Sequence, residues 1–460
     1  MTTKNEADAP PGPSPTDPRG WWQRWRWLLV VAVVAVVAVV PALLLILRPT
    51  PLVPDAPLME DGYYSYTVAR NIALGKGITI TDGMWTNGFQ PLFTFGSVLL
   101  FLVAGSDRYL AVRLMLVLHW LLYLATAYFL GRIASDSLPL GDQHRSHENQ
   151  PWWKIPAFWL TAFLYLSSVF PFLQHFNGLE TGCLLLLYSA TWRYYQVAHL
   201  NLDTLRGVAV LGVLLGLLVL ARIDAVFFVI LLCAYQLVAP EASRMHHRVR
   251  RFARLAGISF LITLPWWLYN LVGFGHLIPS SGLSQQEWVL SLPRLASGLE
   301  ALIQGLFPPL PFTYVWRISR ALGLGCQVGS FLVGLVLLWL GRNVVVRPLL
   351  ARVRSHARGQ RTAAYGAVLF LSVLVLCCWY IVSTPAAYFY PRYFAPVLPV
   401  STVVMGLLLS WLIMTYQSTS HRCSQRSWCC CYPCLCSRWP GCGRPGWCFP
   451  ATPTIESRFP

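Results

Sequence analysis

The chain is short of charge, and shorter still of acid. Only 12% of its 460 residues are charged, and 18 Asp and Glu face 35 Lys and Arg. Soluble domains carry about 25% charged residues, so a water-soluble globular fold is excluded. Signatures of common soluble chemistries are missing as well. There is no Walker A sequence, no GxGxxG after a strand, no HExxH and no GxSxG, which removes phosphate-loop, dinucleotide, zinc-peptidase and hydrolase readings. No DxD occurs either, which argues against a soluble-type nucleotide-sugar transferase.

What is abundant is apolar sequence, at 56% of residues. A membrane-crossing helix needs about 20 mostly apolar residues. Trp27 to Leu47 meets that test and reads as a retained first helix rather than a cleaved leader, with its N-terminus in the cytoplasm. Further spans are expected near 109–131, 155–173, 181–197, 207–221, 225–239, 255–272, 322–341, 363–383 and 394–416. The fold class is therefore all-α, a polytopic transmembrane bundle of about ten spans. The aromatic residues at span ends, such as Trp152, Trp153, Trp266 and Trp267, fit interfacial belts.

The net charge of +17 is compatible with nucleic-acid binding in the abstract. The basic residues, however, cluster in short segments between apolar spans, which is a topology signal, so no nucleic-acid partner is expected. The same rule orders the spans. The run Pro91 to Ala104 holds 14 residues and is short for a crossing. If it lies in the interface, the basic segments 240–254 and 342–361 fall inside, and a long first loop, 48–108, falls outside.

Three regions result. Residues 1–26 read as a disordered cytoplasmic N-terminus, 27–416 as the membrane domain, and 417–460 as an anomalous tail. That tail holds eight of the 13 cysteines (Cys423, Cys429, Cys430, Cys431, Cys434, Cys436, Cys442 and Cys448). Three of them are consecutive and no second CxxC follows Cys431–Cys434, so the tail reads as out of frame or unstructured rather than as a zinc site.

Against this background the few acids stand out. Glu60 and Asp61 sit side by side just past the first helix. A sugar hydroxyl attacks well only when a base takes its proton, and a carboxylate partly desolvated at a membrane surface has a raised pKa suited to that work. The plain alternative is helix capping, since acids favour a first turn. Glu180, Arg222, Asp224, Arg294 and Arg392 fall on the same side near span ends. Ionisable groups at membrane depth are costly and mark function by default. Arg222 suits a lipid phosphate, or else forms an internal pair with Asp224 that lets a tight turn sit at the bilayer surface. Arg392 could stabilise a leaving phosphate, or else snorkel to the interface. In Thr86-Asn87-Gly88-Phe89-Gln90-Pro91, the Asn-Gly step signals a turn and Pro91 a helix start, with Asn87 and Gln90 able to bond a sugar.

These residues, taken in order, resemble the GT-C superfamily of integral membrane glycosyltransferases, which includes protein O-mannosyltransferases, the aminoarabinose transferase acting on lipid A and mycobacterial arabinofuranosyltransferases. The resemblance covers about residues 27–416. It is carried by Glu60-Asp61, by Tyr66 through Gly77, by Thr86 through Leu92, by Asn177-Gly178-Leu179-Glu180-Thr181, by Ala221-Arg222-Ile223-Asp224-Ala225, by Pro265-Trp266-Trp267 through Gly282, and by Pro391-Arg392-Tyr393. Gln90 departs from the pattern, standing where related bacterial chains have His. The resemblance implies a polyprenyl-phosphate sugar as donor and an inverting transfer; a divalent metal is compatible with it but not indicated. Asp61 would be the base, with Glu60 second, and Arg222, Arg392 and Lys76 would lie near the lipid phosphate. Asn87, Gln90, Glu180 and Asp224 would complete the substrate site. The partners implied are membrane lipids, the lipid-linked sugar and a glycan, lipid or protein acceptor, at the bacterial inner membrane. The rivals are a transporter or lipid flippase, against which no internal repeat is visible, and a non-catalytic scaffold of the same fold.

Overall fold

A computed structural model of the chain describes residues 18–81, 83–138, 155–198, 204–239, 244–284, 286–306 and 341–425, with isolated residues 329, 332, 336 and 339. Residues 1–17, nearly all of the expected span 322–341, and the Cys-rich tail past 425 lie outside the described residues. The protein is an all-α polytopic membrane bundle. Among the described residues five helices are long and apolar enough to cross a bilayer, or six if one bent pair counts as a single span.

The first helix, α1 (Pro18–Ile46), starts inside the segment expected to be disordered. The first loop then carries α2 (Glu60–Ala73), a small hairpin of β1 (Thr79–Thr81) and β2 (Met84–Trp85), and α3 (Pro91–Ala104). The hairpin pairs Thr79 with Trp85 and Thr81 with Met84, antiparallel. It is absent from an all-helical expectation, and its cause is local. Gly75, Gly77 and Gly83 all take positive φ, which turns the chain twice, and the β-branched Thr-Ile-Thr run fills the space between.

The helices α4 (Arg108–Ser137), α5 (Pro156–Ser167), α6 (Val169–Phe176), α7 (Thr181–Val197), α8 (Leu205–Ala221) and α9 (Val226–Val238) follow. The expected span 155–173 is broken, with α5 and α6 bent by 65°. Pro171 explains the break: its ring clashes with the carbonyl four residues earlier, at Ser167, where α5 stops. The next helix, α10 (Met245–Phe274), is 30 residues long. From Met245 on, the basic segment expected at 240–254 is therefore helical. A helix of that length spans about 45 Å, more than the roughly 30 Å hydrocarbon core, so its first turns carry Arg248, Arg250, Arg251 and Arg254 past it. The basic segment 342–361 is likewise helical, as α13 and the start of α14 below.

The remaining elements are α11 (Ser280–Ser284), α12 (Leu292–Leu306), α13 (Arg347–Arg354), α14 (Ala357–Ser383), α15 (Tyr390–Tyr393) and α16 (Val397–Gln425).

Packing gathers the polar loops at one end. Tyr66, Ala69, Phe93, Phe101 and Met115 form a buried cluster that seats α2 and α3 on α4. Val68, Phe89 and Trp266 tie α2 to α10. Ile381, Tyr390, Phe394 and Val397 bury the segment around α15 against α12 and α14. At the other end Arg193 and Arg358 converge on Asp136, and Arg361 donates to the Gln196 carbonyl, joining α4, α7 and α14.

Candidate active site at the loop end of the bundle

Backbone contacts hold the first loop before any site residue acts. Arg48 donates to the carbonyls of Val53, Asp55 and Ala56, and Arg113 donates to the carbonyl of Arg48. The start of α2 then meets the Asn177–Glu180 turn directly. Met59 N donates to Asn177 O at 2.9 Å, and a Cβ at Gly62 would come within 2.8 Å of Gly178 O. Gly178 has φ +81, a conformation that side chains strain to adopt. The glycines of two distant motifs therefore let two loops touch, and the contact sets the start of α2, which carries Glu60 and Asp61, against the Asn177–Glu180 turn.

The other loop motifs are tied together in the same way. Asn71 donates to the carbonyls of Thr79 and Ile80, bracing the hairpin on α2. Asn87 accepts from Ser280 N and from Ser280 Oγ at 2.8 Å. Gln90 accepts from Ile223 N at 3.3 Å, and Tyr269 donates to Thr86 O at 2.9 Å. In this arrangement the side-chain oxygens of Asn87 and Gln90 join loops to one another. Lys76 is exposed at the tip of the turn after α2.

Arg222 and Asp224 form the internal pair. Arg222 Nε donates to both Asp224 oxygens at 2.9 and 3.0 Å, and Nη2 donates to Oδ2. Arg222 Nη1 donates to the backbone carbonyl of Arg392 at 2.8 Å. Every nitrogen of this guanidinium is engaged, and the residue is buried at 2% exposure. Burial opposes its charge, but Asp224 and, further off, Tyr380 and Glu180 hold it charged and raise its pKa. Tyr380 donates to Asp224 Oδ2 at 2.8 Å, and its ring stacks on Tyr393 with centroids 3.9 Å apart. The Arg222 guanidinium lies 5.0 Å from the same Tyr393 ring.

Arg392 is thus held from behind and caged at the side. Its guanidinium sits 4.4 Å from the Phe389 ring centroid and 5.2 Å from that of Tyr393. Its Nη1 donates to Asp61 Oδ2 at 3.1 Å. Burial works against this charge too, while Tyr393 and Glu180 favour it, and the balance raises its pKa. Glu180 is itself buried, at the head of α7.

The structure therefore brings Asp61, Glu180, Arg222, Asp224 and Arg392 to one place from four separated stretches of chain. Glu60 and Asp61 occupy the first turn of α2 and are both exposed on the bundle. Tyr380 and Phe389 were not singled out from the sequence, and Tyr393 entered only as part of the Pro391-Arg392-Tyr393 motif. Tyr380 lies in an apolar span, where an aromatic residue is no signal, whereas the aromatic density of 388–394 around Arg392 was one. No group of three or more His, Cys, Asp or Glu able to hold a metal occurs among the described residues.

No family model matches the sequence, and no curated protein matches it. Among solved structures, ArnT from Cupriavidus metallidurans bound to undecaprenyl phosphate is similar, with a TM-score of 0.53 and 16% identity over 85% of this chain. The chain spans 60% of the length of that protein. The apo oligosaccharyltransferase of Archaeoglobus fulgidus is similar at a TM-score of 0.47 and 14% identity, over 88% of this chain and 52% of its own. From the first of these likenesses, together with the helical bundle and its loop end, the chain has the fold of the GT-C integral membrane glycosyltransferases.

Proposed function

We propose that the protein is a membrane glycosyltransferase that moves a sugar from a polyprenyl-phosphate carrier to a cell-envelope acceptor, with inversion, at the outer face of the bacterial inner membrane. The observation that carries this reading is the meeting of Asp61 and Arg392, 331 residues apart in sequence, at 3.1 Å beside the buried Glu180. A base and a cation for a leaving phosphate are the two groups such a transfer needs. ArnT, with the same fold, was solved with undecaprenyl phosphate bound.

Each residue then has a task. The acceptor hydroxyl attacks the anomeric carbon on the face opposite the phosphate. Asp61 takes the hydroxyl proton as the new bond forms, with Glu60 as the neighbouring carboxylate in the same turn. The bond between the anomeric carbon and the phosphate oxygen breaks, and charge develops on the departing polyprenyl phosphate. Arg392 stabilises that charge from a fixed position, which is the condition under which electrostatic catalysis is strongest. Arg222 and Asp224 do not need to touch the phosphate: with every Arg222 nitrogen engaged, they aim Arg392. Glu180, buried at the head of α7, adds to the negative field that favours both guanidinium charges. Lys76 lies exposed on the first loop, on the side where lipid headgroups would sit.

The test is sugar transfer from a panel of polyprenyl-phosphate sugars by the purified protein in liposomes. One donor should be consumed. Asp61→Asn should lower turnover by about 10²- to 10⁴-fold, the usual weight of a general base. Arg392→Gln should lower it by about 10²- to 10³-fold, as for loss of one oxyanion donor. Turnover that survives both changes rules out this mechanism, and no donor consumed by folded protein rules out the activity.

A further inference from the structure

We propose that the Asp61–Arg392 ion pair is the resting state of the site, and that the donor phosphate displaces Asp61 from Arg392, releasing the carboxylate to act as base only when donor is bound. The proposal rests on the transferase reading above and adds to it how the site is switched.

Three observations separate the two partners. First, Arg392 keeps its place without Asp61. Its backbone carbonyl is clamped by Arg222 at 2.8 Å, and its guanidinium lies against Phe389 and Tyr393 at 4.4 and 5.2 Å. Second, Asp61 is replaceable. Its side chain is 46% exposed, against 15% for Arg392, and a single bond of 3.1 Å joins them. A half-exposed ion pair is screened by water and held weakly. Third, the nitrogen that Asp61 occupies is the outward one. Arg392 Nε is buried away from solvent, and Nη2 lies 3.5 Å from the Tyr393 hydroxyl. An incoming anion reaches this guanidinium where Asp61 now stands.

A phosphate suits that exchange. The donor's phosphodiester equals a carboxylate in charge and offers two free oxygens to the fork of a guanidinium, and the polyprenyl phosphate released from it has a third oxygen and more charge. Once the phosphate holds Arg392, its negative charge repels Asp61, which stays on the first turn of α2 among solvent and acceptor. The reaction then proceeds with the atoms balanced. The acceptor oxygen bonds to the anomeric carbon, its proton goes to Asp61, and the electron pair of the broken bond leaves on the polyprenyl phosphate. Without donor, Asp61 Oδ2 remains committed to Arg392.

The test measures binding of undecaprenyl phosphate to the full chain in nanodiscs, for wild type, Asp61→Asn, Glu60→Gln, Arg392→Gln and the Asp61→Asn/Arg392→Gln double variant. If Asp61 competes with phosphate, Asp61→Asn binds the lipid roughly three- to tenfold more tightly than wild type, a gain of about half to one decade in Kd. Glu60→Gln removes the same charge from the same turn without touching Arg392, so it should change Kd less than about twofold. Arg392→Gln should weaken binding, and in that background Asp61→Asn should add nothing. Unchanged or weaker binding by Asp61→Asn overturns the proposal. So does an equal gain from Glu60→Gln, which would be general charge, or a gain that persists without Arg392. If the ordering holds but no sugar is transferred, the exchange stands and the transferase reading fails. If no variant binds the lipid, both fail.

Discussion

At the scale of single residues, the site depends on groups that never face a substrate. Tyr380 is the clearest. Its hydroxyl holds Asp224, Asp224 holds Arg222, and Arg222 holds the backbone of Arg392. Tyr380→Phe keeps the stack on Tyr393 and removes only the hydroxyl, so the expected cost is that of one hydrogen bond to a charged group, about 1.5–3 kcal/mol. It should appear as weaker donor binding and slower turnover, with little change in folded yield; an effect on yield alone would make Tyr380 merely structural. Gly62 makes a different demand. A methyl there meets the backbone oxygen of Gly178 at 2.8 Å, and backbone cannot rotate aside. Gly62→Ala is expected to cost about 1–3 kcal/mol as overpacking, read as a lower melting temperature, and to move the carboxylates away from Glu180. A melting temperature equal to wild type would mean that the loops can part freely. Both contacts show what the sequence could carry. Asn-Gly steps and paired acids mark turns and candidate chemistry because turns need those residues locally. A tyrosine in an apolar span acquires its meaning only from Asp224, 156 residues away.

At the scale of elements, the helices were legible because the bilayer imposes a length, and their ends were less so. As helices, the stretches expected near 181–197, 207–221 and 363–383 correspond closely to α7, α8 and α14, and of these three α14 is the one long and apolar enough to cross a bilayer. The errors fall where a helix outruns the membrane, as α10 does through its arginines, or where one proline breaks a span, as Pro171 does. The hairpin after α2 was hidden because five residues of strand leave no periodic signal. Helix contacts can also be read from small residues in hindsight. Gly212 and Gly216 of α8, one turn apart, face Ile258 and Ile262 of α10, and a Cβ at either would lie within 2.9 or 2.6 Å of the isoleucine. Such small residues let helices approach closely in a membrane. Gly216→Leu should force α8 from α10 at a cost of about 1–3 kcal/mol. Because Arg222 directly follows α8, the loss should reach donor binding too, which a thermal melt with and without undecaprenyl phosphate would separate.

At the scale of the whole molecule, the two ends of the bundle differ in kind. The loop end carries Glu60, Asp61, Glu180 and Asp224 among its cations. At the opposite end, α4, α7, α10, α13 and α14 present arginines, and Asp136 is the one acid there among the described residues. Cytoplasmic segments of membrane proteins carry the excess of Lys and Arg, so this asymmetry supports the proposed placement of the candidate site on the outer side. That placement bears on the donor. A charged, water-soluble nucleotide sugar does not cross the hydrocarbon core unaided, whereas a sugar on a polyprenyl chain stays in the bilayer and can be presented at its outer surface. Orientation and donor class therefore stand or fall together. Cysteine placed at an exposed position on each end, Lys76→Cys and Arg250→Cys, tests the first. A membrane-impermeant maleimide applied to intact cells should label Lys76→Cys above the level of the unmodified chain, and Arg250→Cys only after the membrane is opened. The reverse pattern would place Asp61 and Arg392 in the cytoplasm, where soluble donors are within reach, and would remove the physical reason for a lipid carrier.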